Sequence, residues 1–183
     1  MNVRAKFRYE PEELLAMPDG DRYELIDGIP REKHMGAQSD EIAVTLAAGL
    51  IDFVRSKKLG RVYGSQTGYQ CFPTAPKMVR MPDTSFVAAG RLEGDRTPEG
   101  YIPIAPDLAV EVVSPTEEYE EVEAKVAAYR SAGVRLIWVV SPKSKTVVIR
   151  RLDGTCAEVG EAGVLSGEGV LPGFSCRVAD LFG

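Results

Sequence analysis

Glu111 lies inside "PDLAVEVVSP", an apolar run that stops at Ser114-Pro115. Runs of this kind fill the middle of a sheet, where a lone ionised carboxylate is costly unless a cation or a positive side chain faces it. A second acid, Asp83, follows Pro82 at the start of the short strand expected from "MPDTSFVAAG". Two acids on neighbouring strands can point to one edge of a sheet and chelate a hard cation such as Mg²⁺, which prefers oxygen ligands and keeps several waters. Downstream, Val122, Val126 and Tyr129 mark the apolar stripe of a helix. Lys125, three residues after Val122, falls about 60° off that stripe, so its ammonium can reach along the sheet toward Glu111. Each residue also has an ordinary reading. Glu111 can be a structural salt-bridge partner, Asp83 a turn or cap residue, and Lys125 a surface lysine pairing with Glu121 at i,i+4. The other acids of this segment, Glu117, Glu118, Glu120 and Glu123, read mainly as a solvated face.

Other chemistries are bounded by what the chain lacks. Its single histidine, His34, sits in a polar, loop-like stretch and is expected at the surface. A multi-histidine metal site is thereby excluded within one chain. There is no His-Glu-x-x-His, no Ser-x-x-Lys and no Gly-Lys pair for a phosphate-binding P-loop. "GEGVLPG" approaches a dinucleotide fingerprint, but Pro172 takes the third glycine position and no helix signal follows. Carboxylates and lysines remain.

The elements that must position these residues alternate between helix and strand signals. A short helix is expected from Glu10 to Met17, and "YELIDGIPRE" predicts a strand bent tightly at Asp27-Gly28. Ile42, Leu46, Leu50 and Val54 recur every four residues, predicting a helix over 39–57 that ends at Gly60. "RVYGSQTGYQCF" suits one or two strands, with Gly64 and Gly68 marking irregularity or close approach, and "EGDRTPEGYIP" an exposed loop. After the strand bearing Glu111, Ser114-Pro115-Thr116 can cap the helix that carries Lys125 and stops at Gly133. "RLIWVVSP" predicts a central strand and "KTVVIRRLDGTCAEV" a strand and hairpin; the tail gives short strands and a last turn of helix. This order predicts an α/β fold around a mixed sheet.

With 183 residues the chain is expected to form a single domain, 1–183, large enough to do without disulfides or a structural metal. Cys71, Cys156 and Cys176 are odd in number and widely spaced, which predicts reduced, semi-buried thiols in a cytoplasmic protein. No stretch approaches the roughly 20 apolar residues of a membrane span. A net charge of −5 gives no general basic footprint, so any nucleic-acid contact needs a local patch.

"RMPDTSFV", followed by "PDLAVEVVSPTEEYEEVEAKVAAYRSAGVRLIWVVSP", resembles the Uma-type putative restriction endonuclease family, within the PD-(D/E)XK nuclease superfamily; "RYELIDGIP" and "LPGF" fit as well. The resemblance spans nearly the whole chain. It implies a restriction-endonuclease-like fold, a mixed sheet flanked by helices. It also implies that Asp83 and Glu111 are the two motif acids and hold Mg²⁺ or Mn²⁺. The superfamily lysine would fall at position 113, which is Val113 here, and the resemblance moves that role to Lys125. It adds Glu24 of "YELIDG" as a further member of the site. Where the family often carries a histidine, at the start of its first long helix, this chain has Gln38-Ser39. The implied activity is hydrolysis of DNA phosphodiester bonds, with Arg31, Lys33, Arg61, Lys77, Arg80, Arg91 and Arg96 as candidates for a DNA-binding rim and a homodimer as a possible assembly. The rivals are a catalytically decayed binding or regulatory module on the same fold, and a metal-dependent hydrolase with another substrate.

Overall fold

A computed structural model describes residues 8–33 and 35–183, and the first elements among them are helix α1 (Pro11–Leu15) and a hairpin of β1 (Tyr23–Ile26) and β2 (Ile29–Glu32). His34, expected at the surface, lies outside the described residues. Asp27 and Gly28 both take positive φ, 52° and 77°, the conformation of a two-residue turn matched to strand twist. Helix α2 (Ala37–Lys57) follows, and Lys58 closes it in the left-handed conformation. Gly60, expected as the helix stop, instead opens β3 (Gly60–Gly64). Its φ is 148°, and a Cβ there would stand 2.1 Å from the Val87 carbonyl oxygen, so the position demands glycine for close strand approach.

Next come β4 (Thr84–Ala88), β5 (Leu108–Val112), α3 (Tyr119–Ser131), β6 (Leu136–Ser141), β7 (Thr146–Arg151) and β8 (Cys156–Gly160). Strands β3 to β8 form one six-stranded sheet in sequential order. Only the β5–β6 pair within it is parallel, because α3 carries the chain back across the sheet between them. "RLIWVVSP" is thus the interior strand its composition predicted. The tail adds a small pair, β9 (Val164–Ser166) with β10 (Ser175–Arg177), and a final 3₁₀ turn at Val178–Leu181.

Strand alternation divides β5 between two cores. Leu108, Val110 and Val112 face α2, joining Ile42, Leu46, Leu50, Val54 and Trp138. Ala109 lies on the other face with Ile137 and Val139, packed by Val122, Val126 and Tyr129 of α3. The start of α3 differs from the sequence expectation. Ser114-Pro115-Thr116 stay outside it, and Glu118 caps the helix in a reciprocal capping box with Glu121. That box also engages Glu121, which accepts from the Glu118 amide rather than pairing with Lys125. All three cysteines are free, with Cys156 exposed where a semi-buried thiol was expected. No helix among the described residues is long and apolar enough to cross a membrane.

Candidate active site

The Glu111 side chain leaves β5 on the α3 face, and every oxygen it carries is engaged. Tyr129 donates its hydroxyl to Oε1 at 2.6 Å, and Lys125 donates to Oε2 at 2.9 Å. Both donors lie on α3, one helical turn apart, so a single helix face satisfies one buried carboxylate. Lys125 also reaches Glu117 Oε1 at 2.7 Å, which draws Glu117 off the solvated face predicted for it.

Asp83 sits just before β4, one step past the Thr84–Val110 pairing, which sets it beside Glu111. Its amide donates to the Val110 carbonyl at 2.9 Å, and its Oδ2 accepts from the Val112 amide at 2.6 Å. These bonds clamp the segment to the strand that bears Glu111. The remaining oxygen, Oδ1, is 2.6 Å from the ammonium of Lys33, which also donates to the Met81 carbonyl. Lys33 follows β2 directly, so the hairpin places a cation in the cluster.

Glu24 on β1 stands behind this pair. Its Oε2 accepts from Arg80 Nη1 and its Oε1 from the Met81 amide, both at 2.8 Å. A bridge between Leu25 and Val79 runs alongside. Glu24 therefore fixes the segment 79–81 that leads into Asp83.

All three acids are nearly inaccessible: Glu24 is 6% exposed, Asp83 4% and Glu111 2%. The proton affinities of Asp83 and Glu111 diverge. Burial, then the neighbouring Glu111 charge, raises the Asp83 carboxyl above its ordinary 3.8, outweighing Lys33 and the Val112 amide. Burial would raise Glu111 too, but the charges of Lys125 and Lys33, with the bonds from Lys125 and Tyr129, hold it below its ordinary 4.5. Lys125 is opposed by burial, yet Glu111, Glu24 and Glu117 keep its ammonium well above the ordinary 10.5. Tyr129 is held neutral by burial and by the charges of Glu111 and Glu24. Carboxylates of divergent affinity packed beside a lysine are a common mark of a functional site.

The structure thus brings Asp83, Glu111 and Lys125 together, with Glu24 one layer behind. It corrects the candidate DNA rim in two places. Arg80 is 8% exposed and committed to Glu24, and Lys33 belongs to the cluster itself. Arg91 is tied to Asp107, Lys77 to Glu10, and Arg61 to the Asp95 carbonyl. Sequence reasoning left three participants unplaced. Tyr129 read only as part of the apolar stripe, Glu117 as solvated, and Lys33 as one of seven basic candidates. Position 113 is no candidate for the lysine: Val113 packs with the apolar cluster beneath α3.

A family model described as a putative restriction endonuclease, Uma2, matches residues 11–179. Among solved structures, a putative nuclease belonging to DUF820 from Anabaena variabilis aligns with a TM-score of 0.78. It shares 20% identity, with 94% of this chain and 97% of that chain covered, a likeness of fold. No curated protein matches the chain.

Proposed function

The chain belongs to the Uma2 family of putative restriction endonucleases, and from that membership we propose a divalent-metal-dependent nuclease that hydrolyses DNA phosphodiester bonds. The supporting observation is the convergence of Asp83, Glu111 and Lys125, from three separate elements, on one buried cluster.

The donor set suits Mg²⁺ or Mn²⁺ bound through two carboxylates and completed by waters and substrate phosphate. It does not suit an all-protein cage, because no group of three or more metal-ligating side chains occurs among the described residues. Asp83 and Glu111 would hold the ion. When bound, such a cation neutralises charge on a phosphate and acidifies a water.

The remaining roles fall to the chain's own side chains. Tyr129 fixes the Glu111 carboxylate by donating to Oε1. Lys125, steadied by Glu111 and Glu117, would offer its ammonium to the charge that develops on the phosphate. Glu24 acts indirectly: with both oxygens taken by Arg80 and the Met81 amide, it positions the approach to Asp83. Exposed basic residues such as Arg31 and Arg96 would supply contacts to the DNA backbone. A two-fold dimer would set two such sites against two strands.

One observation favours the rival, a nuclease-fold module without activity. Each carboxylate of the cluster already has a positive partner, as a purely structural network would. Incubation of the purified protein with plasmid, linear and single-stranded DNA plus Mg²⁺ or Mn²⁺ decides between them. Cleavage is expected, and Glu111→Gln and Lys125→Ala are expected to abolish it. Cleavage indifferent to both substitutions would remove the site from consideration, and absent cleavage together with absent metal binding would establish the rival.

A further inference from the structure

Asp83 has no free oxygen. One is bound by the Val112 amide, a main-chain donor fixed in the sheet, and the other by the Lys33 ammonium at 2.6 Å. We propose that Lys33 is a resident counter-ion of Asp83 that a divalent cation displaces, so that the protein's own ammonium and the metal compete for the same carboxylate oxygen. The inference rests on reading Asp83 and Glu111 as the metal-holding pair.

The two lysines of the cluster differ in how they are held. Lys125 projects from a helix and bridges two carboxylates, Glu111 and Glu117. If a cation takes Glu111, Lys125 keeps a partner. Lys33 has one carboxylate, Asp83, and one carbonyl, that of Met81. Its main chain is anchored, its amide donating to the Arg22 carbonyl at 2.8 Å, so displacement needs only a swing of the four-carbon side chain.

Charge points the same way. Glu24, Asp83, Glu111 and Glu117 face Arg80, Lys33 and Lys125, one negative charge in excess. A dication entering as Lys33 leaves brings the cluster to neutrality. A dication and an ammonium sharing Oδ1 would stand in close like-charge contact.

Calorimetric titration with Mg²⁺ and Mn²⁺ at pH 8 tests this in the full chain, its Lys33→Gln and Lys33→Arg variants, and Asp83→Asn. Lys33→Gln keeps a donor for the Met81 carbonyl and is expected to bind the ion roughly tenfold tighter or more, since a competing charge is gone. Lys33→Arg should bind no tighter than the parent, and Asp83→Asn should not bind. The unaltered protein supplies a second readout: in ¹⁵N-lysine spectra, the Lys33 ammonium resonance should lose its hydrogen-bonded signature as metal is added. Binding that depends on Asp83 but is no tighter in Lys33→Gln, with the Lys33 signal unmoved, overturns the displacement and leaves the metal site standing. No binding in any of these proteins overturns both.

Discussion

Strand β5 presents two faces built to opposite ends. Toward α2 it offers Leu108, Val110 and Val112, joined by Trp138 and Phe174 in a largely apolar core, where the buried Thr84 hydroxyl donates to the Ala43 carbonyl of α2. Toward α3 it offers Ala109 and Glu111, and Glu111 brings with it a lysine, a tyrosine and a neighbouring aspartate. The first face gains stability chiefly from packing and holds no charged side chain of β5. The second carries desolvated charge whose cost is offset only by paired partners. One strand, alternating residue by residue, separates the work of holding the fold from the work of presenting charge.

Four substitutions or conditions probe that division. The largest effect on stability is expected on the α2 face. Trp138 is fully buried and stacks on Phe174 at 5.9 Å, so Trp138→Ala should cost about 3–5 kcal/mol in denaturant unfolding. The folded fraction should keep its metal affinity. Next, Lys125→Met removes the cation beside Glu111 while leaving the apolar contacts. It should cost about 2–3 kcal/mol near neutral pH, less than a fully buried pair because the side chain retains 16% exposure.

The pH dependence of melting should then separate the two acids. Glu111 has a lowered folded pKa, so its contribution is present above its ordinary 4.5 and is lost as pH falls through the folded value. Asp83 has a raised folded pKa, so its contribution has the opposite sign and is lost as pH rises from 3.8 through the folded value. Asp83→Asn should therefore steepen the acid loss of stability, and Glu111→Gln should flatten it. Lys125, raised above its ordinary 10.5, adds a loss of stability above that pH. The smallest effect on stability is expected for Glu111→Gln at pH 7. The amide oxygen still accepts from Tyr129 and Lys125 keeps Glu117, but the amide nitrogen faces the Lys125 ammonium, so unfolding free energy should change by about 1–2 kcal/mol. Metal binding, in contrast, should disappear. A large loss of stability there would mean that both faces serve the fold equally.

Much of this was legible in the sequence because it was written in local patterns. The four-residue recurrence from Ile42 to Val54 gave α2, Asp27-Gly28 gave the hairpin turn, and the unbroken apolar run around Trp138 gave an interior strand. The flank position of Lys125 on α3 likewise follows from helical geometry. The restriction-endonuclease-like fold read from the resemblance agrees with the family match and with the fold of the solved putative nuclease. What remained hidden depends on tertiary register. Lys33 reaches Asp83 only because the hairpin docks through the Leu25–Val79 bridge, a pairing no local signal encodes. Glu117 joins the cluster because α3 starts at Tyr119, after Glu118 and Glu121 have formed a capping box that outcompeted Ser114-Pro115-Thr116. Gly60 was misread because a glycine after an apolar helix pattern has the same appearance whether it ends the helix or admits a neighbouring backbone.

The stacking of Trp138 on Phe174 has a practical optical consequence. The chain contains no other tryptophan, and this one is sealed on the side of the sheet away from Glu111. Its emission should therefore track collapse of the α2 layer while remaining blind to ions arriving at the carboxylates. Nature has placed the fluorophore where it monitors the scaffold alone, so a change in brightness on adding metal would signal a rearrangement transmitted through the sheet.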